Sequence, residues 1–88
     1  MIEVRKPTQA EIKLAEKWPT WSKEISEFRW NYDQAETCLI LNGRAKIFSQ
    51  EGEIASFGAG DWVVFPKGLE CIWKITEPIE KKYYLSQD

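Results

Sequence analysis

From Trp21 onward, large apolar residues are separated mainly by polar ones: Trp21, Ile25, Phe28, Trp30 and Tyr32. Phe28, Trp30 and Tyr32 alternate with period two, which puts three rings on one face of an extended segment. Asn31 and Asp33 lead into a loop through Gln34-Ala35. Thr37 to Leu41 is a β-rich run, and Asn42-Gly43 after it is the strongest short hairpin signal a sequence offers. Arg44 to Ser49 reads as the returning strand. Glu51-Gly52 makes a turn, Glu53 to Phe57 a strand, and Gly58-Ala59-Gly60-Asp61 another turn. Trp62 to Phe65 is a short apolar strand. In Pro66-Lys67-Gly68, proline presets φ and glycine is free to take φ > 0, so the chain turns again. Glu70 to Thr76 then carries Cys71 and Trp73 on one face. Glu77-Pro78 breaks the chain before a last strand, Lys82 to Leu85.

The first twenty residues differ. Residues 1–7 are extended or irregular. Thr8-Gln9-Ala10-Glu11 has the spacing of a capping box, so a short helix is expected from Gln9 to Ala15 or Glu16, with Ile12 as its main apolar anchor. It ends before Trp18-Pro19, because a residue preceding proline is pushed out of the helical region. About eight short strands with frequent turns argue for a sandwich or barrel, and closing the sheet removes exposed edges. The expected fold is all-β: a small β-barrel or jelly roll with one short N-terminal helix.

Length limits this to one domain over 1–88, with an N-terminal extension (1–20) carrying the helix and a barrel over 21–88. Five Trp, three Tyr and four Phe in 88 residues need an interior to fill or a ligand to stack on. A short chain with surplus aromatics also points to a homodimer. The net charge of −2 comes with scattered Lys and Arg, so no basic patch offers a nucleic acid a hold. No apolar run reaches membrane-spanning length, and Met1 to Lys6 lacks the apolar core of a signal peptide. The expected location is cytoplasmic, with Cys38 and Cys71 as reduced thiols. The chain has no histidine, which excludes His-based general-base chemistry, Ser-His-Asp triads and His metal sites.

Two spacings carry a family resemblance. Glu36 is followed by six residues and Gly43; Gly60 by five residues, Pro66, one residue, Gly68, two residues and Cys71. These resemble the second half of the first motif and the first half of the second motif of the cupin superfamily, a double-stranded β-helix. Lys17-Trp18-Pro19-Thr20-Trp21, Glu36-Thr37-Cys38 and Phe65-Pro66-Lys67-Gly68-Leu69 are similar to segments of the small single-domain cupins related to ureidoglycine aminohydrolase and the ethanolamine-utilisation cupins. The resemblance implies that Trp30 and Tyr32 stand where a metal-binding cupin has two His. Cys71 stands where the third would be, and Ile75 where an Asn would be. Only Glu36 survives from the ligand set, so neither a metal nor another cofactor is expected. Were a metal held, Glu36, Cys71 and Cys38 would be its ligands.

The candidate site therefore centres on Glu36, as acid/base or as anchor for an amine; its alternative role is a hydrogen-bonded strand-start carboxylate. Cys71 is a second candidate for chemistry, against a reading as a small inert buried thiol. Tyr32 is a candidate hydrogen-bond donor. Trp30, Tyr32, Trp73 and Cys38 are candidates to line a ligand pocket, with core packing as the alternative for the rings. Trp62 reads as core or dimer interface. Lys81-Lys82 and Glu51/Glu53 read as solvated faces. The function expected is binding of, or action on, a small organic molecule without the usual cupin metal, nitrogen-containing compounds included. The alternative is a non-enzymatic ligand-binding or dimeric module with a vestigial pocket.

Overall fold

In the computed structural model, residues 1–86 are described. The elements run β1 (Glu3–Arg5), α1 (Gln9–Ala15), β2 (Thr20–Lys23), β3 (Ser26–Asn31), β4 (Glu36–Ser49), β5 (Ile54–Gly58), β6 (Trp62–Phe65) and β7 (Glu70–Leu85). All pairings are antiparallel. β4 and β7 are the spine, paired with each other along nearly their whole lengths. The first half of β4 also pairs with β6, which carries β1 on its far side, and the last half of β7 pairs with β2. The second half of β4 pairs with β5, and the first half of β7 with β3. One long strand pair thus contributes to both walls, which is the jelly-roll arrangement anticipated from the turn pattern. No helix among the described residues is long and apolar enough to cross a membrane.

Two expected breaks are absent. Asn42-Gly43 does not close a hairpin, and Glu77-Pro78 does not end a strand; both lie inside the spine. The register slips between Ile40 and Ala45, marking a bulge. A bulge bends its strand and changes the alternation, and β4 shows it. Glu36, Cys38 and Ile40 are buried in its first half, Ala45 and Ile47 in its second. Gly43 takes φ +93°, with the Pro78 carbonyl packed where a side chain would start. Strand pairs predicted as separate elements are therefore single bent strands of 14 and 16 residues.

The main core joins Ile40, Ala45, Ile47, Phe57, Val63, Phe65, Trp73, Ile75 and Ile79, with both cysteines among them. A smaller cluster holds Ala15, Leu39 and Trp62, with Trp18 packed against it. The anchor of α1 is consequently Ala15, while Ile12 is 38% exposed. Trp62 is core, beneath the Arg5 guanidinium. Glu53 is not simply solvated, because its carboxylate accepts the Ile2 backbone N–H and so ties down the start of β1.

The capping box forms as read: Glu11 N–H donates to Thr8 Oγ1 at 3.1 Å, and Thr8 N–H to Glu11 Oε1 at 2.9 Å. Arg5 adds a two-pronged contact to the same carboxylate at 2.8 and 2.6 Å, fastening β1 to the helix. The Arg5 guanidinium first, and the Thr8 backbone N–H second, hold the Glu11 carboxyl at about 2, below its ordinary 4.5. A folded value below the unfolded one means stabilisation that is present above pH 4.5 and fades as pH falls toward 2. Urea midpoints measured across that window are expected to fall more steeply for the wild type than for Glu11→Gln, which keeps the cap acceptor but does not titrate.

Candidate functional site

The alternation of β4 turns Glu36 inward at its first residue, followed by Cys38 and Ile40. On β7 the inward set Cys71, Trp73 and Ile75 resumes after Pro78 as Ile79 and Lys81, with half-buried Tyr83 next in the same alternation. Lys81 is opposite Ile40 on one side and Trp21 of β2 on the other. Its side chain is therefore carried into the barrel, only 7% exposed. Lys81 Nζ donates to Glu36 Oε2 at 2.5 Å, and the Cys38 thiol donates to the same oxygen at 2.9 Å. Three rings face the ammonium: Trp21 at 4.8 Å, Trp73 at 4.9 Å and Phe65 at 5.9 Å from ring centre to Nζ. A buried charge survives when paired and enclosed by π-faces of the right polarity. The reading of Lys81 as solvated is thereby corrected: it is the counter-ion of Glu36.

Above this pair is a cavity of about 330 Å³. Trp21, Phe28, Tyr32 and Trp73 form its walls, Glu36 and Lys81 its polar end, and exposed Trp30, Asn31 and Asp33 its rim. Phe28 is opposite Trp73 in the β3–β7 register, so their rings stack at 6.0 Å. Tyr32 is fixed from both sides of its backbone by the turn after β6. Its N–H donates to the Leu69 carbonyl at 2.8 Å and its carbonyl accepts from Gly68 at 2.7 Å, while Gly68 sits at φ +86°. The Tyr32 ring stacks on Phe65, and its hydroxyl oxygen accepts from Trp73 Nε1 at 3.0 Å. Burial first, then the Glu36 charge, pushes the phenol far above its ordinary range, so Tyr32 stays protonated and keeps its O–H hydrogen to donate. Glu36 Oε1 has no hydrogen-bond partner among the described residues, and no buried polar side-chain atom there is left unpartnered. That oxygen is thus open to the cavity.

The cysteines are placed differently from the rest of the candidate set. Cys38 is fully buried beneath Glu36 and does not line the cavity; burial drives its thiol well above the ordinary value. Cys71 lines a separate groove with Arg29, Trp30, Gln50 and Glu70, and its thiol is directed at the Trp30 carbonyl, 3.5 Å away. Burial raises it to about 11, which leaves about one thiolate per thousand at pH 8. Both cysteines are free thiols. The donors do not suit a metal. No three of the Cys, Asp and Glu side chains among the described residues converge on a common point. Of the two Glu36 oxygens, Oε2 is already taken by an ammonium. The structure thus gathers Glu36, Tyr32, Trp30 and Trp73 around one cavity, adds Lys81, Trp21 and Phe28, and leaves Cys71 and Cys38 off its walls.

Residues 13–83 match the family model of the EutQ-like cupin domain. The chain is similar in structure to a DUF861 family protein from Thermotoga maritima, with 45% identity over 98% of this chain and 100% of that one and a TM-score of 0.94. It is also similar to the EutQ protein of Clostridium difficile, at 18% identity and TM-score 0.68 over 75% of this chain and 53% of that one. A putative ethanolamine utilization protein Q from Salmonella typhimurium gives 21% identity and TM-score 0.68, over 75% and 53%. In these last two the likeness concerns the fold, and the chain spans about half of each protein. No curated protein matches the chain.

Proposed function

The chain belongs to the EutQ-like cupin family, and on that footing we propose that it binds a small organic molecule in the cavity above Glu36. The observation that carries this reading is the open Oε1 of Glu36 at the end of an aromatic-walled cavity of about 330 Å³. Ligand sites are mostly apolar with a few placed polar groups. Here the apolar part comes from Trp21, Phe28, Trp30 and Trp73, and the polar part from Glu36, Lys81 and the Tyr32 hydroxyl. A ligand with a flat apolar body and one N–H or O–H fits that division: rings flank the body and Oε1 accepts the hydrogen. Nitrogen-containing molecules fall within this class.

Trp21, Trp30 and Trp73 lie in the walls or rim, so occupancy is read by tryptophan fluorescence together with thermal shift. A screen of small aromatic amines, amides and alcohols is expected to yield compounds that raise Tm and quench fluorescence saturably. Glu36→Gln removes the charge from the acceptor and is expected to weaken them by about 10- to 100-fold, the worth of a hydrogen bond to a charged group. Trp30→Ala at the rim is expected to weaken them less. A compound whose binding is unchanged in both variants sits elsewhere and overturns the reading.

A further inference from the structure

Among the described residues, Lys81 is the one nucleophilic amine in the cavity wall, and we propose that it forms a Schiff base with an uncharged aldehyde or ketone bound there. This rests on the pocket reading above, with the same flat apolar body between the rings but with a carbonyl group held at Lys81 as its polar end. Three features of the geometry support it. The amine is enclosed by Trp21, Trp73 and Phe65 and is 7% exposed, so water is scarce where an imine would have to survive. A carboxylate is in direct contact with it at 2.5 Å. A phenol with a free O–H hydrogen lines the same cavity. Amine nucleophiles of this kind work from desolvated pockets with an adjacent proton acceptor.

The proton and electron movements close within these groups. Glu36 takes a proton from the Lys81 ammonium, leaving a neutral amine and a neutral carboxylic acid. The nitrogen lone pair attacks the carbonyl carbon. The C=O π pair moves to oxygen, which the Tyr32 O–H can meet, and a proton passes from nitrogen to that oxygen to give the neutral carbinolamine. Glu36 then returns its proton to the hydroxyl. The C–O bond breaks as water leaves, and the nitrogen lone pair closes the C=N bond. The net change is ammonium plus carbonyl giving iminium plus water, with Glu36 again a carboxylate. The iminium keeps the single positive charge that Glu36 and the three rings already stabilise. Glu36 cancels the Lys81 charge and Asp33 is at the rim, so an uncharged carbonyl compound suits the cavity better than a 2-oxo acid.

The test uses the wild-type protein with benzaldehyde, and glyoxylate in parallel, each with sodium cyanoborohydride, followed by peptide mass mapping. Benzaldehyde is expected to leave a secondary amine on Lys81, with a mass gain equal to the aldehyde less one oxygen. It should form about tenfold or more faster than on exposed Lys13, Lys17 and Lys74, and faster than with glyoxylate. Tryptophan quenching should persist after dialysis only when hydride was present. Lys81→Arg keeps the charge and is expected to lose both signals; its melting curve reports whether it folds. Adducts spread over exposed lysines with Lys81 unmodified would overturn the Schiff base. If benzaldehyde still quenches saturably in that case, the pocket reading stands alone; if it does not, that reading loses its support from this ligand as well.

Discussion

Gly43→Ala is expected to destabilise the protein by about 4 kcal/mol, the largest effect of any single added methyl group here. A Cβ at this position would lie 2.1 Å from the Pro78 carbonyl oxygen, 2.7 Å from its carbon and 2.8 Å from Ile79 Cα. All three are backbone atoms of β7, so no side chain can swing aside. The φ of +93° adds a strain that only glycine avoids. Gly52 supplies the control, since it has the same φ of +93° and nothing within 4 Å of the place an added methyl would occupy. Gly52→Ala is therefore expected to cost about 1 kcal/mol, the backbone part alone. Urea unfolding of the two variants beside wild type separates strain from collision. Equal losses would mean that the corner where β4 crosses β7 tolerates movement, and that the bend is not held by this contact.

That corner also shows why the fold is only partly legible from sequence. The turns at Glu51-Gly52, Gly58 to Asp61 and Pro66 to Gly68 join β4 to β5, β5 to β6 and β6 to β7, as their residues predict. Their chemistry is local, and local residues suffice to read it. Asn42-Gly43 and Glu77-Pro78 carry equally strong local signals, but they face each other across the spine as the bend of two long strands. A glycine with positive φ serves a hairpin and a bulge alike, and the partner strand decides between them. The Glu36 to Gly43 spacing has the same origin: it is the length of β4 from the cavity to the bend.

The site is legible where period two runs unbroken. Trp30 and Tyr32 are separated by one residue, and Trp73 falls two after Cys71, so their convergence with Glu36 follows from alternation and motif spacing. Lys81 escapes because Pro78 reads as the end of a strand, which leaves Lys81-Lys82 as a charged surface pair. Continued through Pro78, the alternation of Cys71, Trp73 and Ile75 leads to Ile79, Lys81 and Tyr83, and the apolar neighbours of Lys81 then mark it as inward. Cys71 departs from its expected place for the converse reason. The motif spacing is present, but its side chain opens onto the groove beside Gln50 and Glu70 instead of the cavity.

Lys81→Met is expected to cost about 4 kcal/mol at pH 7, and adding Glu36→Gln is expected to recover most of that loss. Both partners are almost fully buried, at 7% and 8% exposure, so removing Lys81 leaves a carboxylate with little water to solvate it. The Cys38 thiol remains as a donor to Oε2, but a thiol carries no compensating charge. Methionine reproduces the stem and its contact with Trp21 and Trp73, so the loss reports the charge and not a void. In the double variant neither group is charged, the desolvation penalty disappears, and an amide beside a thioether fills the same space. The coupling energy from the double-mutant cycle should then be the loss recovered, about 3 kcal/mol, plus whatever Glu36→Gln costs alone. Single variants costing less than about 1 kcal/mol would show the pair behaving as a surface salt bridge, with water reaching it through the cavity. The double variant also divides structure from function: it should regain the fold while losing both the charged acceptor and the amine. Stability restored with ligand binding and Lys81 chemistry gone would place the pair in the site. Stability and binding restored together would make it a packing device beneath a purely aromatic pocket.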